Sequence, residues 1–544
     1  MENIVENFRF LAIETENQVK LTYGLLSRFD EKLLDKIGSK DDYIDNLKTT
    51  VENACFSRIH SSTSHISPEK LNDIRAIHII CVNLERVADF CVNITRQLQY
   101  LSDPSFIQRY DYKTMFAEIQ KGLSAITPVF DNRTLSGALD VCRVEFHADR
   151  HYKENFDQIM ADLKKGKNAP DLITTIFIFR YLERIGDAIL NIGEALIFAI
   201  IGDRIKIRQF DALQQTLSES GFEGDFSDID FSSILGSRSG CRIGKVGDKR
   251  PSGFKAQGIF KEGSIRKIRQ EKENIMRWDA AFPGLAPRVF GYHESDTTAS
   301  LLVEFLPGCT MDQVILTGGP DVTRNVFFLF EQTVGEIWQK TREAGAFETD
   351  YMDQLKSRLG SVCRVHPYFS RDVQHMGGLR IPSTDELIET CSRIERQVSA
   401  PFSVFIHGDF NTNNIVYNHS DQKLNYIDLY RSRRADYIQD ASVFLVSNFR
   451  LPVFEPGLRA RLNTVSLYFF EFFANFAEKN NDRTFEIRLA LALARSFYTS
   501  TRFELNYDFA REMTLRSHFL MEKISAHEGK SWETFRLPES VLFY

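Results

Sequence analysis

The 544-residue sequence has no C-x-x-C pair and no closely spaced thiols. Its eight cysteines are scattered at positions 55, 81, 91, 142, 241, 309, 363 and 391. That spacing argues against a four-cysteine zinc cage and against a disulfide-stapled secreted scaffold, and it fits reduced thiols in a cytoplasm. An excess of basic charge is missing too. With 67 Lys and Arg against 74 Asp and Glu, the net charge is −7, so no overall attraction to nucleic acid is expected. The opening residues Met1-Glu2-Asn3-Ile4-Val5-Glu6-Asn7 lack the basic and apolar stretches of a signal peptide. The most apolar run, 185–202, is interrupted by Asp187, Asn191 and Glu194, which makes it a poor membrane span and a good packed helix. Low-complexity tracts are absent as well. At 43% hydrophobic and 26% charged residues the chain can bury large cores, and its length implies more than one domain.

What is present first is a helical pattern over the first two hundred or so residues, with Pro68, Pro104, Pro128 and Pro170 as the only breakers. Within it lies an internal repeat. A shift of 98 lays Leu84-Glu85-Arg86-Val87-Ala88-Asp89-Phe90-Cys91-Val92-Asn93-Ile94 on Leu182-Glu183-Arg184-Ile185-Gly186-Asp187-Ala188-Ile189-Leu190-Asn191-Ile192. Apolar positions 80, 84, 87, 91, 94 and 98 map onto 178, 182, 185, 189, 192 and 196, the alternating spacing of a bundle seam. A weaker echo at a shift of 109 aligns Asp42 to Leu47 with His151 to Phe156, so each half reads as a three-helix unit.

Beside each seam, polar residues recur at i, i+4 and i+8: Glu85, Asp89, Asn93 and Glu183, Asp187, Asn191. They fall within roughly 80° of one another on a helix but span about 12 Å, too far for a single ion. Two readings stay open: a site for more than one metal, or carboxylates paired with basic residues on neighbouring helices. The tandem Leu-Glu-Arg-x-x-Asp-x-x-x-Asn-Ile helices resemble PhoU, regulators of phosphate uptake built from two three-helix bundles. The resemblance implies metal binding at Glu85, Asp89, Glu183 and Asp187, with Asp42, Asp45, His151 and Glu154 as further partners. It leaves Mg, Mn, Zn or Fe open, because imidazole at 151 stands where the first repeat has carboxylate. It further implies a phosphate transporter or sensor kinase as partner, and pairing of such bundles adds a homodimer to the expectations.

The texture changes to Ser, Gly, Asp and Phe over 214–230, which reads as a linker after a helical domain at 1–213 with repeats at about 1–105 and 106–213. Gly-punctuated apolar runs follow, and then a mostly helical remainder, so the second half reads as α+β.

Its sharpest motif is Phe405-Ile406-His407-Gly408-Asp409-Phe410-Asn411-Thr412-Asn413-Asn414, followed by Tyr426-Ile427-Asp428. Phosphoryl transfer to a hydroxyl needs a carboxylate to orient the nucleophile and take its proton, plus oxygen ligands for magnesium on the phosphates. Asp409 fits the base, and Asn414 and Asp428 fit the two magnesium ligands. This segment resembles the catalytic loop of the aminoglycoside phosphotransferase and choline kinase superfamily, which has a two-lobed protein-kinase-like fold. The match runs over about 225–544. It implies ATP and Mg2+ as cofactors, a nucleotide lobe at 231–310 and a helical lobe at 311–544. By the same resemblance Gly236 and Gly240 cover the phosphates, and Lys261 contacts them with Lys255 as runner-up. Glu273, narrowly favoured over Glu271, partners the lysine, and the backbone of Glu304 and Leu306 forms the hinge that holds adenine. Asp436 and Asp440 match a region that is usually structural support.

Arg431, Arg433 and Arg434 read either as a site for an acidic substrate or as a solvated loop. The aromatics at 469–473 and 497–498 read either as a pocket lining or as core. The expected activity is an ATP-dependent kinase for a small hydroxylated metabolite in the cytoplasm, with no nucleic-acid partner. Two alternatives stay open: a non-catalytic nucleotide- and metal-sensing regulator, and a kinase acting on a protein partner.

Overall fold

Six long helices account for the first two hundred residues, as their apolar spacing dictates. They are α1 (Glu2–Ser27), α2 (Glu31–His60), α3 (Pro68–Leu98), α4 (Tyr112–Asn132), α5 (Leu135–Leu163) and α6 (Ala169–Ile201). The computed structural model describes residues 2–60, 66–202, 212–213, 215–217, 219, 229–233, 242–248 and 258–544. It divides into two compact units, Met1–Glu262 and Gly263–Tyr544. That division falls inside 231–310, the stretch expected as the nucleotide lobe.

The first unit contains two three-helix bundles, α1 to α3 and α4 to α6. All twelve seam positions, from Ile80 to Leu98 and from Ile178 to Leu196, are buried, and the repeated helices α3 and α6 pack on each other at the centre. Pro68 and Pro170 stand in the first turns of α3 and α6, where the missing N–H is no loss. Pro104 opens a short 3-10 turn. Pro128 does not break a helix as expected: it lies inside α4, about one turn from its end. After the bundles, strands Ile229–Ser233, Arg242–Asp248 and Gly258–Gly263 pair antiparallel in sequence order.

The second unit begins with helix α7 (Ile265–Ala281) and an antiparallel pair, Val289–Glu294 with Ala299–Glu304. Strand Ala400–Ile406 runs between Glu343–Phe347 and Arg433–Ala435. The hairpin Ile415–Asn418 and Lys423–Tyr426 has Cys309–Thr310 along its other edge. Four helices, Ile438–Phe449, Pro456–Lys479, Phe485–Ser500 and Tyr507–Ala526, make up the C-terminal part. Phe469, Phe473, Phe497 and Tyr498 are fully buried, so these aromatics are core. Among the described residues no helix is long and apolar enough to cross a membrane.

Candidate active site

The His407–Asn414 segment leaves strand Ala400–Ile406 at His407, and its first backbone N–H groups are held by buried side chains. The backbone N–H groups of His407 and Gly408 donate to the two carboxylate oxygens of buried Asp440, at 2.7 and 2.8 Å. Burial outweighs those two donors and pushes the Asp440 carboxyl up to about 7. His407 Nε2 lies 2.9 Å from the carbonyl of Ile427 and donates to it, which leaves Nδ1 to accept the N–H of Asp409 at 3.3 Å. Burial lowers the pKa of this imidazole, in keeping with the neutral tautomer. Gly408 has φ +81°, and a Cβ there would stand 2.3 Å from the carbonyl oxygen of Arg431, so only glycine fits.

Asp409 is half-buried at the end of this turn. Its Oδ1 accepts from Asn411 Nδ2 at 3.0 Å and lies 3.4 Å from Arg431 Nη1. Asn414 closes the 3-10 turn Thr412–Asn414, and its side-chain amide donates to the Asp409 carbonyl at 2.9 Å. The hairpin that follows returns the chain so that Ile427 N–H donates to the Asn414 carbonyl at 3.0 Å, with Asp428 next in sequence. Hairpin register therefore brings Asn414 and Asp428 to the same end. Asp428 sits in the left-handed region, φ 60° and ψ 49°, a conformation a non-glycine residue holds only when its surroundings impose it. A carboxylate and an amide oxygen are a donor set suited to magnesium.

Helix α7 fixes this turn from the other side. Asn274, fully buried, donates through Nδ2 to the carbonyls of Leu429 and Ser432 at 2.8 and 3.1 Å. Trp278 Nε1 donates to Ser432 Oγ at 2.8 Å, and that hydroxyl donates to the His407 carbonyl at 3.1 Å. Sequence reasoning passed over Asn274 and Trp278; the signal was their i, i+4 spacing in phase with Ile268 and Ile275 on the buried face of α7. The same phase corrects one expectation. Glu273 lies on the exposed face, while Glu271 is 2% exposed, because residues two apart on a helix point to different sides.

Lys261 is buried in strand Gly258–Gly263, in the first unit. Gly236, Gly240 and Lys255 lie outside the described residues. Glu304 ends strand Ala299–Glu304 and is held by Arg288, whose N–H donates to its carboxylate at 3.2 Å. Leu306 follows in irregular chain. Gly308, at φ +140°, passes so close to the Tyr417 carbonyl that a Cβ would stand 2.2 Å from it, and this carries the segment onto the hairpin Ile415–Asn418 and Lys423–Tyr426.

The arginine cluster separates. Arg433 pairs with Asp350 at 3.6 Å and Arg434 with Glu343 at 2.8 Å, so Arg431 alone of the three faces Asp409. Asp436 supports the fold, sharing buried Arg488 with Asp482 and accepting from Tyr351 Oη at 3.1 Å.

In the first unit, Glu85 and Asp89 of α3 face Asp41 and Asp45 of α2. Burial and these like charges raise Glu85 and push Asp41 up to about 6. In the second bundle, Glu183 and Asp187 of α6 face Glu145 and Asp149 of α5, and burial with Asp187 pushes Glu183 up to about 7 despite Arg180 at 2.8 Å. The equivalent pairs are therefore Asp41 with Asp45 and Glu145 with Asp149. This corrects the partners expected from the shift of 109. Asp42 is exposed, and His151 Nδ1 pairs along its own helix with Glu154 at 3.2 Å. The second-bundle register follows from Gly186, where a Cβ would stand 2.9 Å from that of Ala148; this closeness lets α5 and α6 pack tightly beside Glu145. Asn191 donates across to Asn83 of α3 at 3.3 Å, so the third stripe position in this bundle is a helix–helix contact. Asp187 is also held by Arg184 at 2.7 Å. Among the described residues no three His, Cys, Asp or Glu side chains are placed to hold one metal ion.

The chain thus joins a helical unit with carboxylate stripes on its repeated helices to a mixed α/β unit built around the His407–Asp428 turn. Residues 10–98 and 112–196 match the PhoU domain, one match per three-helix bundle, and residues 328–464 match the ecdysteroid kinase-like family across the catalytic segment. The chain carries PhoU domains fused to a kinase-like domain. The phosphate-specific transport system accessory protein PhoU homolog of Clostridium acetobutylicum is 26% identical over 194 residues, which cover 35% of this chain and 88% of that protein. Among solved structures, PhoU from Pseudomonas aeruginosa has a TM-score of 0.33 at 20% identity, covering 37% of this chain and 97% of its own. An aminoglycoside phosphotransferase from Streptomyces rimosus has a TM-score of 0.33 at 15% identity, covering 58% and 97%.

Proposed function

We propose that the protein is an ATP-dependent phosphotransferase for the hydroxyl of a small molecule, regulated by its PhoU domains according to phosphate status. The observation that carries this reading is the turn that fixes Asp409 and Asn414 while the hairpin register delivers Asp428 beside them. A domain that only bound nucleotide would have no need of a preorganised base.

The acceptor hydroxyl is oriented by Asp409, which takes its proton as the oxygen attacks the γ-phosphorus of ATP. The new P–O bond forms as the bond from the γ-phosphorus to the β,γ-bridging oxygen breaks, and ADP leaves with that electron pair. Asn414 and Asp428 would hold magnesium, which when bound offsets the charge of the phosphates. Asp440 and the neutral His407 keep the loop in register, so the base is placed before substrate arrives. Within the second unit, Glu271 replaces Glu273 as the candidate carboxylate of α7. Glu304 and Leu306 supply the hinge backbone.

In the PhoU domains, two facing carboxylate pairs per bundle fit a hydrated divalent cation better than a closed cage, because so few protein ligands leave water in the remaining positions. Crowding of like charge favours such an ion in the first bundle, where Lys48 beside Glu85 and Arg96 beside Asp41 offset part of it. In the second, Arg180 and Arg184 pair directly with Glu183 and Asp187. A phosphate-transport component is the partner that the name of the Clostridium relative suggests.

The test is MgATP binding by calorimetry alongside slow ATP hydrolysis. The wild type should bind and hydrolyse, Asp428→Asn should lose the magnesium-dependent part of binding, and Asp409→Asn should bind but not turn over. Hydrolysis by Asp409→Asn at the wild-type rate would sink the reading.

A further inference from the structure

The groups around Asp409 border the acceptor, because that carboxylate must reach the acceptor's hydroxyl. They are basic. Arg431 lies 3.4 Å from Asp409, and Arg502, far away in sequence, shares the field of Asp409, Arg431 and Arg358. Arg502 sits in the 3-10 turn Thr501–Phe503 after helix Phe485–Ser500. That turn is pinned by buried His366, whose Nε2 lies 3.1 Å from the Thr501 carbonyl and 2.9 Å from that of Glu504. The Arg502 guanidinium rests over the Phe503 ring at 4.4 Å. Its Nη1 is buried and finds no hydrogen-bond partner among the described residues. Burial and the two neighbouring arginines lower Arg502 to about 10, which leaves it charged at neutral pH. A charged, buried donor without an acceptor is costly unless a ligand completes it.

We propose that the acceptor already carries an anionic group, a phosphate or a carboxylate, that Arg502 binds with Arg431 and Arg358 nearby while Asp409 addresses its hydroxyl. A guanidinium fork matches either anion in geometry and charge. A cationic amino alcohol would meet arginines on the side where it needs carboxylates. This inference rests on the phosphotransferase reading above and narrows its substrate class. The product then bears two anionic groups, the original one and the transferred phosphoryl.

A metabolite extract passed over a strong anion exchanger separates the alternatives, with labelled γ-phosphoryl transfer by the full-length protein as readout. Acceptor activity should be retained on the resin and recovered in the salt eluate. Activity in the flow-through, where neutral and cationic alcohols remain, would overturn the proposal while upholding the kinase. Absence of transfer and of basal ATP hydrolysis alike would remove the kinase reading and this inference with it. Pretreating the eluate with phosphatase distinguishes the two anions, since activity is lost for a phosphorylated acceptor and kept for a carboxylate. With the eluted fraction as acceptor, Arg502→Met should raise the acceptor KM at least tenfold and change the KM for ATP less than twofold, and Arg502→Lys should recover part of the loss. An equal rise in both KM values would assign Arg502 to the nucleotide and contradict the proposal.

Discussion

Asp440 accepts the backbone N–H of His407 at 2.7 Å, and its second oxygen takes that of Gly408. One buried carboxylate thus holds the backbone that aims Asp409. Asp440→Asn replaces one acceptor oxygen by a donor facing an N–H group, which should cost about 1.5–3 kcal/mol of stability. Urea unfolding checks the loss, and turnover should fall more than nucleotide binding does.

Gly408→Ala is the complementary test from the backbone side. A Cβ would meet the Arg431 carbonyl at 2.3 Å and strain a residue at φ +81°. Transfer should fall at least tenfold on the scale of a displaced catalytic group, with calorimetric ATP affinity little changed. Wild-type turnover would show that the turn tolerates the shift.

Asn274 joins α7 to the Asp428 turn through two buried hydrogen bonds. Asn274→Leu strands two carbonyls and should destabilise the kinase-like domain by about 1–3 kcal/mol. The readout is the urea midpoint, and an unchanged midpoint would show that water or a shifted side chain satisfies those carbonyls.

Much of this was legible in sequence. The repeat at 98 gave both the bundle seam and the stripes beside it, because a seven-residue apolar spacing survives translation into helices with little ambiguity. The turn at Asp409 was legible because Asp409, Asn414 and Asp428 lie within one short stretch whose hairpin brings its two ends together. Other features were not. Asp41, Glu145 and Asp149 were missed because pairing α2 with α3 and α5 with α6 depends on helix register, which for α5 and α6 is set by the close packing of Gly186 on Ala148. Arg502 comes from a turn far along the chain, and only the path of the C-terminal helices brings it to Asp409. Glu271 and Glu273 could be separated only once the buried phase of α7 was known.

The carboxylate stripes give a pH dependence. In the folded state Asp41 is pushed up to about 6 and Glu183 to about 7, against ordinary values of 3.8 and 4.5. A raised carboxylate binds its proton more tightly in the folded than in the unfolded chain. Its contribution to stability is therefore lost as pH rises from about 4 through 7. Urea midpoints of the wild type should fall between pH 5 and pH 8, and the fall should shrink in Asp41→Asn with Glu183→Gln. Magnesium or manganese should restore part of the midpoint at pH 8 in the wild type only. Equal profiles for both proteins would show that other groups govern this titration.

The measurement closest to the central claim is transfer of labelled γ-phosphoryl from ATP into a metabolite extract, with magnesium, for wild type and Asp409→Asn side by side. The account predicts a labelled small molecule from the wild type and a loss of about 10²–10⁴-fold or more in the variant, the scale of a missing general base. Equal labelling by both proteins, or label confined to protein, would contradict it.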